Sequence, residues 1–278
     1  MSTLYALAEV SRQGHFQDLE RRRQRTLQEE RLLAEVARIR TRHPRMGARK
    51  IHRILSPVMG RDRFEALLLS NGFRVGRVRN YARTTHAHPS IRMPNLIEGL
   101  VVVRPDQLWV SDITYVPYEG RFFYVCLITD VYSRRILGSS ASRTLAAEAN
   151  LRALRQALRT RGGTIPPGLI HHSDRGSQYV AKEYLALLAR HQARASMGDK
   201  AWKNAHAERM NGILKNEYIL PLGFKGFTGL VHSLASNIRK HNTERPSEQL
   251  PGWMTPCAFE DFVANHPEKN DYKVEIKY

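Results

Sequence analysis

A carboxylate set inside an apolar strand is costly unless something answers its charge, and this sequence does so twice. Asp112 lies within Gln107-Leu108-Trp109-Val110-Ser111-Asp112-Ile113-Thr114-Tyr115-Val116, a β-branched and aromatic run that reads as a strand. Asp174 closes a second, Leu169-Ile170-His171-His172-Ser173-Asp174. Desolvation of a carboxylate takes several kcal/mol, which an arginine or a divalent metal ion can offset; the pattern alone leaves both open. Adjacent strands of an open α/β sheet bring such residues together at the carboxyl edge, where active sites of that architecture lie. Two acids held there repel unless a cation bridges them. Glu208 is a candidate third ligand, on a predicted helix from Asn204 to about Tyr218. Asn204, Glu208, Asn211 and Lys215 fall at i, i+4, i+7 and i+11, one polar stripe, with Ala205, Ile213 and Leu214 nearer the opposite side. An all-oxygen set suits Mg2+ or Mn2+ and not zinc.

Bare spacing is weak support, because 26 acidic residues offer many triples. Asp130 also has a strand context but is expected to be structural, tied to Arg134 or Arg135. Glu217, two and a half turns beyond Glu208, faces elsewhere, and Asp199 falls in a loop. His171 and His172 read as packing residues: with only Cys126 and Cys257 in the chain, a zinc site or a disulfide framework has no ligand pattern. Eleven tyrosines leave a covalent tyrosine recombinase conceivable, but no Arg-His-Arg-Tyr arrangement accompanies them.

The residue context is more specific than the spacing. Trp109-Val110-Ser111-Asp112-Ile113-Thr114-Tyr115, His171 through Tyr179 and Asn204-Ala205-His206-Ala207-Glu208-Arg209-Met210-Asn211-Gly212 together resemble the three catalytic blocks of a DDE transposase. The resemblance is to the insertion-sequence-three family, specifically its second reading frame protein, within the retroviral-integrase-like superfamily. Met46-Gly47-Ala48-Arg49-Lys50-Ile51 is similar to the family's helical region, Ile128 through Arg135 to its third-strand region, and Arg245-Pro246 with Thr255-Pro256 to its C-terminal tail. The resemblance implies an RNase H-like core and carries catalytic and metal-binding roles to Asp112, Asp174 and Glu208. One departure is that 33 residues separate Asp174 from Glu208, two fewer than the family's usual interval. The shortfall falls in the loop Ser196–Lys203, where length change is tolerated.

With two Mg2+ ions, for which Mn2+ may substitute, Asp112 is expected to bridge both, Asp174 to bind one and Glu208 the other. The implied reaction is cleavage at transposon 3′ ends by water, followed by strand transfer: the freed 3′-OH attacks another phosphodiester, first at the other end of the same element. Candidate DNA-binding residues are Arg49, Lys50, Arg74, Arg77, Arg79, Arg175, Lys200, Trp202, Lys203, Asn204, Arg209, Asn211 and Lys215. Trp202 could stack on an unpaired base. The partners implied are double-stranded DNA (transposon ends and target), a second copy to make at least a dimer, and an upstream-frame helix-turn-helix protein fused or acting alongside. The implied location is the bacterial cytoplasm, associated with the nucleoid. Two other readings fit part of the pattern: an RNase H-like structure-specific nuclease that only hydrolyses, and a helix-turn-helix DNA-binding regulator with an inactive core. The second leaves three matched acidic blocks unexplained.

The elements that must position these residues follow from periodicity. The fold class expected is α/β: an RNase H-like mixed-sheet core over 104–222, preceded by an all-α basic helix-turn-helix region over 1–95 and followed by a C-terminal helical extension and tail over 223–278. In the first region, residues 25–42 place Leu32, Leu33, Val36 and Ile39 at helical spacing, and Ala48, Ile51 and Leu55 mark a second helix. Asp62-Arg63-Phe64-Glu65 has the form of a capping box opening a third. Arg74 through Arg83, with four arginines, reads as a basic final helix suited to a major groove. Residues 84–106 form a Pro-containing linker. Strands are then expected over 107–116, 122–128, 136–140 and 169–174, with helices at 145–158, 180–191 and 204–218. Three strands joined by hairpins, then alternating helices and strand, suit a sheet with an antiparallel and a parallel half.

Composition bounds the classes. A chain of 278 residues, 42% hydrophobic and 25% charged, can bury a core and is not disordered. Its longest charge-free apolar run near the middle, Phe122 through Thr129, has eight residues against the roughly 20 that span a bilayer, so no membrane partner is expected, and no signal peptide is read at Met1-Ser2-Thr3-Leu4. Net charge is +18; residues 1–95 hold 20 basic and 8 acidic side chains, and the rest 24 and 18. An excess concentrated in one third calls for a polyanionic partner, of which nucleic acid is the commonest.

Overall fold

The structure, a computed structural model, describes residues 11–76, 93–198 and 204–277. It divides into two compact units, Met1–Gly76 and Arg77–Tyr278.

Among the described residues of the first unit there are three helices: α1 (Arg12–Arg42), α2 (Ala48–Leu55) and α3 (Arg61–Ser70). The helix expected from residue 25 starts at Arg12, because the Ser11 hydroxyl accepts the Gly14 amide and caps it. Val36, Met46, Ile51, Phe64 and Leu68 form the core of this unit, flanked by Leu32, Leu33 and Ile39. The capping box does not form: α3 is capped at Gly60 with no side-chain bond, and Asp62 lies inside the first turn, paired with Arg61. There it favours the helix dipole without closing the cap. Residues 73–76 are not helical, and residues 77–83 of the expected basic helix lie outside the described residues.

The second unit is built on a five-stranded sheet of order β4-β3-β2-β5-β6, from β2 (Leu108–Tyr118), β3 (Arg121–Asp130), β4 (Ile136–Ser142), β5 (Ile170–Ser173) and β6 (Arg194–Met197). β2, β3 and β4 pair antiparallel, whereas β5 pairs parallel to β2 and β6 parallel to β5. This is the expected mixed, RNase H-like arrangement, with β6 added: Arg194-Ala195-Ser196-Met197 is too short for periodicity to mark it. Both sheet faces are covered, so β3 reads as a nearly continuous apolar run. On one face α4 (Ala147–Thr160) and α5 (Lys182–Arg190) cover Trp109, Cys126, Ile128 and Leu137. On the other, α6 (Ala205–Ile213), a π-helical stretch Leu214–Ile219 and α7 (Gly226–Thr243) cover Val116, Val125, Leu127 and Ile136. The single helix expected over 204–218 is therefore two segments; Ala207, Met210 and Leu214 are its buried apolar residues, while Ala205 is exposed.

The C-terminal segment packs back onto the second unit. β7 (Val274–Glu275) pairs antiparallel with β1 (Val101–Val102), inside the stretch expected to be linker. α8 (Pro256–Asn265), capped by Thr255, places Phe259 against Tyr132 and Tyr272. Among the described residues no helix is long and apolar enough to cross a membrane.

The tightest approach in the sheet is at Gly138 on β4, where an added Cβ would lie 2.1 Å from the Ala153 carbonyl and 2.9 Å from the Ala157 amide of α4. Gly138→Ala is expected to cost about 3 kcal/mol by separating strand from helix, read as a shifted urea midpoint with an unchanged slope; an unaltered midpoint contradicts this packing.

Candidate active site

β2 and β5 run parallel with Val110 opposite His172, so two residues further along each chain Asp112 and Asp174 come side by side just past the carboxyl end of β5. Alternation points Asp112 toward α6, where Asn211 Nδ2 donates to Asp112 Oδ2 at 2.9 Å. Asp174 is held by its own loop: Oδ1 accepts the Gly176 amide at 3.1 Å. A Cβ at Gly176 would meet Gln178 Oε1 at 2.7 Å and Asp174 Oδ1 at 3.1 Å, so a larger residue here would displace the Gln178 side chain.

The polar stripe of α6 faces these acids as spaced. Asn204 Nδ2 donates 2.9 Å to the Ser111 carbonyl, Asn211 holds Asp112, and Glu208 and Lys215 lie within electrostatic reach of the pair. Burial, then Asp174, and more weakly Glu208 push the Asp112 carboxyl up to about 7, against the opposing bonds from Asn211 and the Ile113 backbone. Burial also raises Asp174, and burial and Asp174 raise Glu208. The three do not close around one point: among the described residues no three His, Cys, Asp or Glu side chains are gathered tightly enough to hold a single ion. Glu208 is exposed in the first turn of α6, outside the aspartate pair.

Two contacts hold the helix that carries Glu208. At its start, an Arg134 guanidinium nitrogen lies 2.5 Å from His206 Nδ1, and His241 Nε2 donates to the Arg134 carbonyl at 3.3 Å. Burial, then Arg134, push His206 down to about 3, so the ring is a neutral acceptor. At its end Arg245, itself buried, grips both Glu217 oxygens at 2.7 and 2.8 Å. Sequence patterns do not mark Arg134, His206 and Arg245 as site features; Arg134 or Arg135 is the partner expected for Asp130.

That assignment is corrected. Asp130 accepts from the Asp106 amide at 2.7 Å and the Ser133 amide at 2.9 Å, with Arg161 at 3.7 Å, while Arg135 pairs with Glu260 at 2.5 Å. Asp130 is structural, as expected, but its cation comes from the end of α4. His171 and His172 are buried as expected, bonded to the Tyr184 hydroxyl (3.0 Å) and the Ser196 hydroxyl (2.8 Å).

The candidate DNA contacts divide. Arg49 and Arg74 are exposed and Lys50 half-buried in the first unit; Arg209 is exposed, and Arg175 and Lys215 are half-buried, in the second. Arg77, Arg79, Lys200, Trp202 and Lys203 lie outside the described residues. Asn204 and Asn211 are 2% and 4% exposed and spend their amides on Ser111 and Asp112. They position the site and have no surface to offer a phosphate.

The antiparallel–parallel sheet with helices on both faces is an RNase H-like core, and the paired acids lie at its β2–β5 junction. The sequence matches the integrase core domain over residues 102–201 and a second integrase core domain over 190–256. It is 32% identical over 263 residues to the insertion element IS600 uncharacterized 31 kDa protein of Shigella sonnei, covering 91% of this chain and 95% of that one. It is 38% identical over 189 residues to the putative transposase for IS986/IS6110 of Mycobacterium tuberculosis (63% and 66%). With transposase InsF for IS3A of Escherichia coli the identity is 34% over 158 residues (55% and 54%). The chain belongs to the insertion-sequence transposases of this integrase-core family. Among solved structures, the HTLV-2 integrase catalytic core domain in complex with magnesium (trimeric form) aligns at TM-score 0.45 and 18% identity, over 57% of this chain and 98% of that one.

The crowding of charge gives a pH-dependent prediction for the metal-free protein. With its folded pKa raised to about 7, Asp112 binds more protons folded than unfolded between the ordinary aspartate range and 7. Its ionisation therefore removes stability as pH rises through that window. Asp112→Asn is expected to be more stable than the parent in EDTA, by on the order of 2 kcal/mol at pH 8 and clearly less at pH 5. Thermal melts at the two pH values check this; an equal or negative difference contradicts the crowding.

Proposed function

We propose that this chain cuts the 3′ ends of a mobile DNA element and joins them to a second phosphodiester, using Asp112, Asp174 and Glu208. The observation that carries the reading is the pairing of Asp112 with Asp174 across the β2–β5 junction, with Glu208 on the helix that Asn211 ties to Asp112.

The donor set fits divalent magnesium or manganese. All three side chains offer hard oxygen, burial and then the charge of Asp174 push Asp112 up to about 7, and Asn211 Oδ1, buried beside them, has no protein partner. Asp112 and Asp174 would hold the metal, with Glu208 completing the set from the helix. When bound, the metal ions polarise the phosphodiester and activate its attacker. The chain's own residues do the rest. Asn211 fixes which Asp112 oxygen is presented, and the Gly176 amide fixes one Asp174 oxygen. Asn204 anchors the start of α6 to β2 through the Ser111 carbonyl. Lys215, within electrostatic reach of Asp112, and Arg175 and Arg209, which follow Asp174 and Glu208 in the chain, would supply positive charge for the phosphates beside the reacting one. The basic first unit, including Arg49, Lys50 and Arg74, supplies sequence-independent affinity for duplex DNA. Two ends must be held at once, which calls for at least two copies of the chain.

Asp112→Asn, Asp174→Asn and Glu208→Gln are each expected to abolish cleavage of a labelled element end, by a factor of at least about 10³, while the end is still bound in gel shifts. Retained cleavage removes the altered residue from the set. With two differently labelled duplexes the parent protein should yield joined strands; cleavage without joining would make it a nuclease. DNA affinity should fall steeply, by about tenfold or more, between 50 and 200 mM salt, and a flat dependence excludes phosphate contacts by these arginines and lysines.

A further inference from the structure

β2 outruns its neighbour. β5 ends at Ser173, so from Asp112 to Tyr118 the β5-side edge of β2 has no strand beside it among the described residues. Along this stretch Asp112 faces α6 and Tyr115 faces the other side of the sheet. The register sets Tyr115 opposite Tyr124 on β3, and parity puts Phe122 on the same face. The three rings touch: Tyr115 and Tyr124 have centroids 5.0 Å apart at 74°, and Tyr115 and Phe122 6.0 Å apart at 77°. Further back on this face, Trp109, Cys126 and Ile128 are sealed under α4 and α5; the three rings lie beyond that cover. Phe122 is 49% exposed, and Tyr115 and Tyr124 are only partly buried. Exposed aromatics clustered at the end of a sheet face, beyond the helices that cover the rest of it among the described residues, need a reason.

Their place supplies one. Tyr115 lies three residues along the strand from Asp112, about 10 Å, and senses the charge of both Asp174 and Asp112. A DNA strand whose phosphate sits at the acids and which crosses the open edge of β2 brings a neighbouring base over these rings. Where the base beside that phosphate leaves its stack, a ring platform compensates for the lost stacking. We propose that Tyr115, Phe122 and Tyr124 form a stacking platform for an unpaired nucleobase next to the phosphate that is cut. This rests on the function proposed above and adds a determinant to it: the platform makes a paired end reactive.

The test uses the full chain. Phe122→Ala and Tyr115→Ala are compared with the conservative Phe122→Tyr and Tyr115→Phe on two substrates, a fully paired element end and the same end mismatched at the cut. On the paired end the alanine variants are expected to cut about 10- to 100-fold more slowly, on the mismatched end at close to the parent rate, and the conservative variants should match the parent on both. Phe122→Ala, at a half-exposed position, is expected to melt with the parent, which separates stacking from folding. A binding readout independent of cleavage is photocrosslinking of 5-iodouracil placed beside the cut, in EDTA. The crosslink should map to the Tyr115 or Phe122–Tyr124 peptides. Equal loss on both substrates, no loss on either, or a crosslink elsewhere overturns the platform. A parent protein that crosslinks here yet never cuts overturns the triad reading and leaves the platform standing.

Discussion

The burial of Asp112 beside Asp174, a cost to which the charge of Asp174 adds, is the constraint around which the rest of the second unit is arranged. Nothing in either strand favours two carboxylates at that junction. They are there because β5 runs parallel to β2 in a register that a one-residue slip would destroy, turning each acid to the opposite face. The apolar residues enforce it: Leu108, Val110 and Ile170 share one core cluster, while Trp109 and Leu169 share another on the opposite face. The register that buries both sets also forces the acids together.

The helix bearing Glu208 is restrained differently, by charge at both ends. Arg134, in a left-handed conformation at φ 63°, reaches His206, and Arg245 clamps Glu217 in the π-helical stretch. A π-helical stretch widens the helix and shifts the face presented by later residues. Tyr218 and Ile219 thereby reach the core below α7 while Lys215 stays close to Asp112. A second ionic assembly, at the other end of the sheet, joins Arg161 to Asp106, Asp130 and Glu260. Burial would raise the Glu260 carboxyl, but Arg161, Ser133 and Arg135 hold it below its ordinary value, so it stays charged and pins α8 to the sheet.

The fold was legible where a pattern was long or doubly constrained. β2, β3 and α4 announce themselves because each buries a periodic set of side chains, and the acids stood out by interrupting such sets. The remainder was invisible for definable reasons. β6 has four residues, β7 has two, and neither length carries a period. The capping box at Asp62 had the right letters, yet Gly60 already provided the cap two residues earlier. Asn204 and Asn211 looked like surface amides because a polar stripe reads the same whether it meets solvent or a buried carboxylate. The partner of Asp130 is 31 residues away at Arg161, beyond any local rule.

The pairing of β1 with β7 has a bearing on synthesis. Ile97 and Val102, near the start of the second unit, lie in the cluster that Val274 and Ile276 complete. On the ribosome these early residues emerge first and wait for nearly the whole remaining chain before they are covered. The sheet can assemble meanwhile, but its seal comes last, so newly made polypeptide passes through an interval with an open apolar seam. A single copy leaving the ribosome is thereby given a late maturation step.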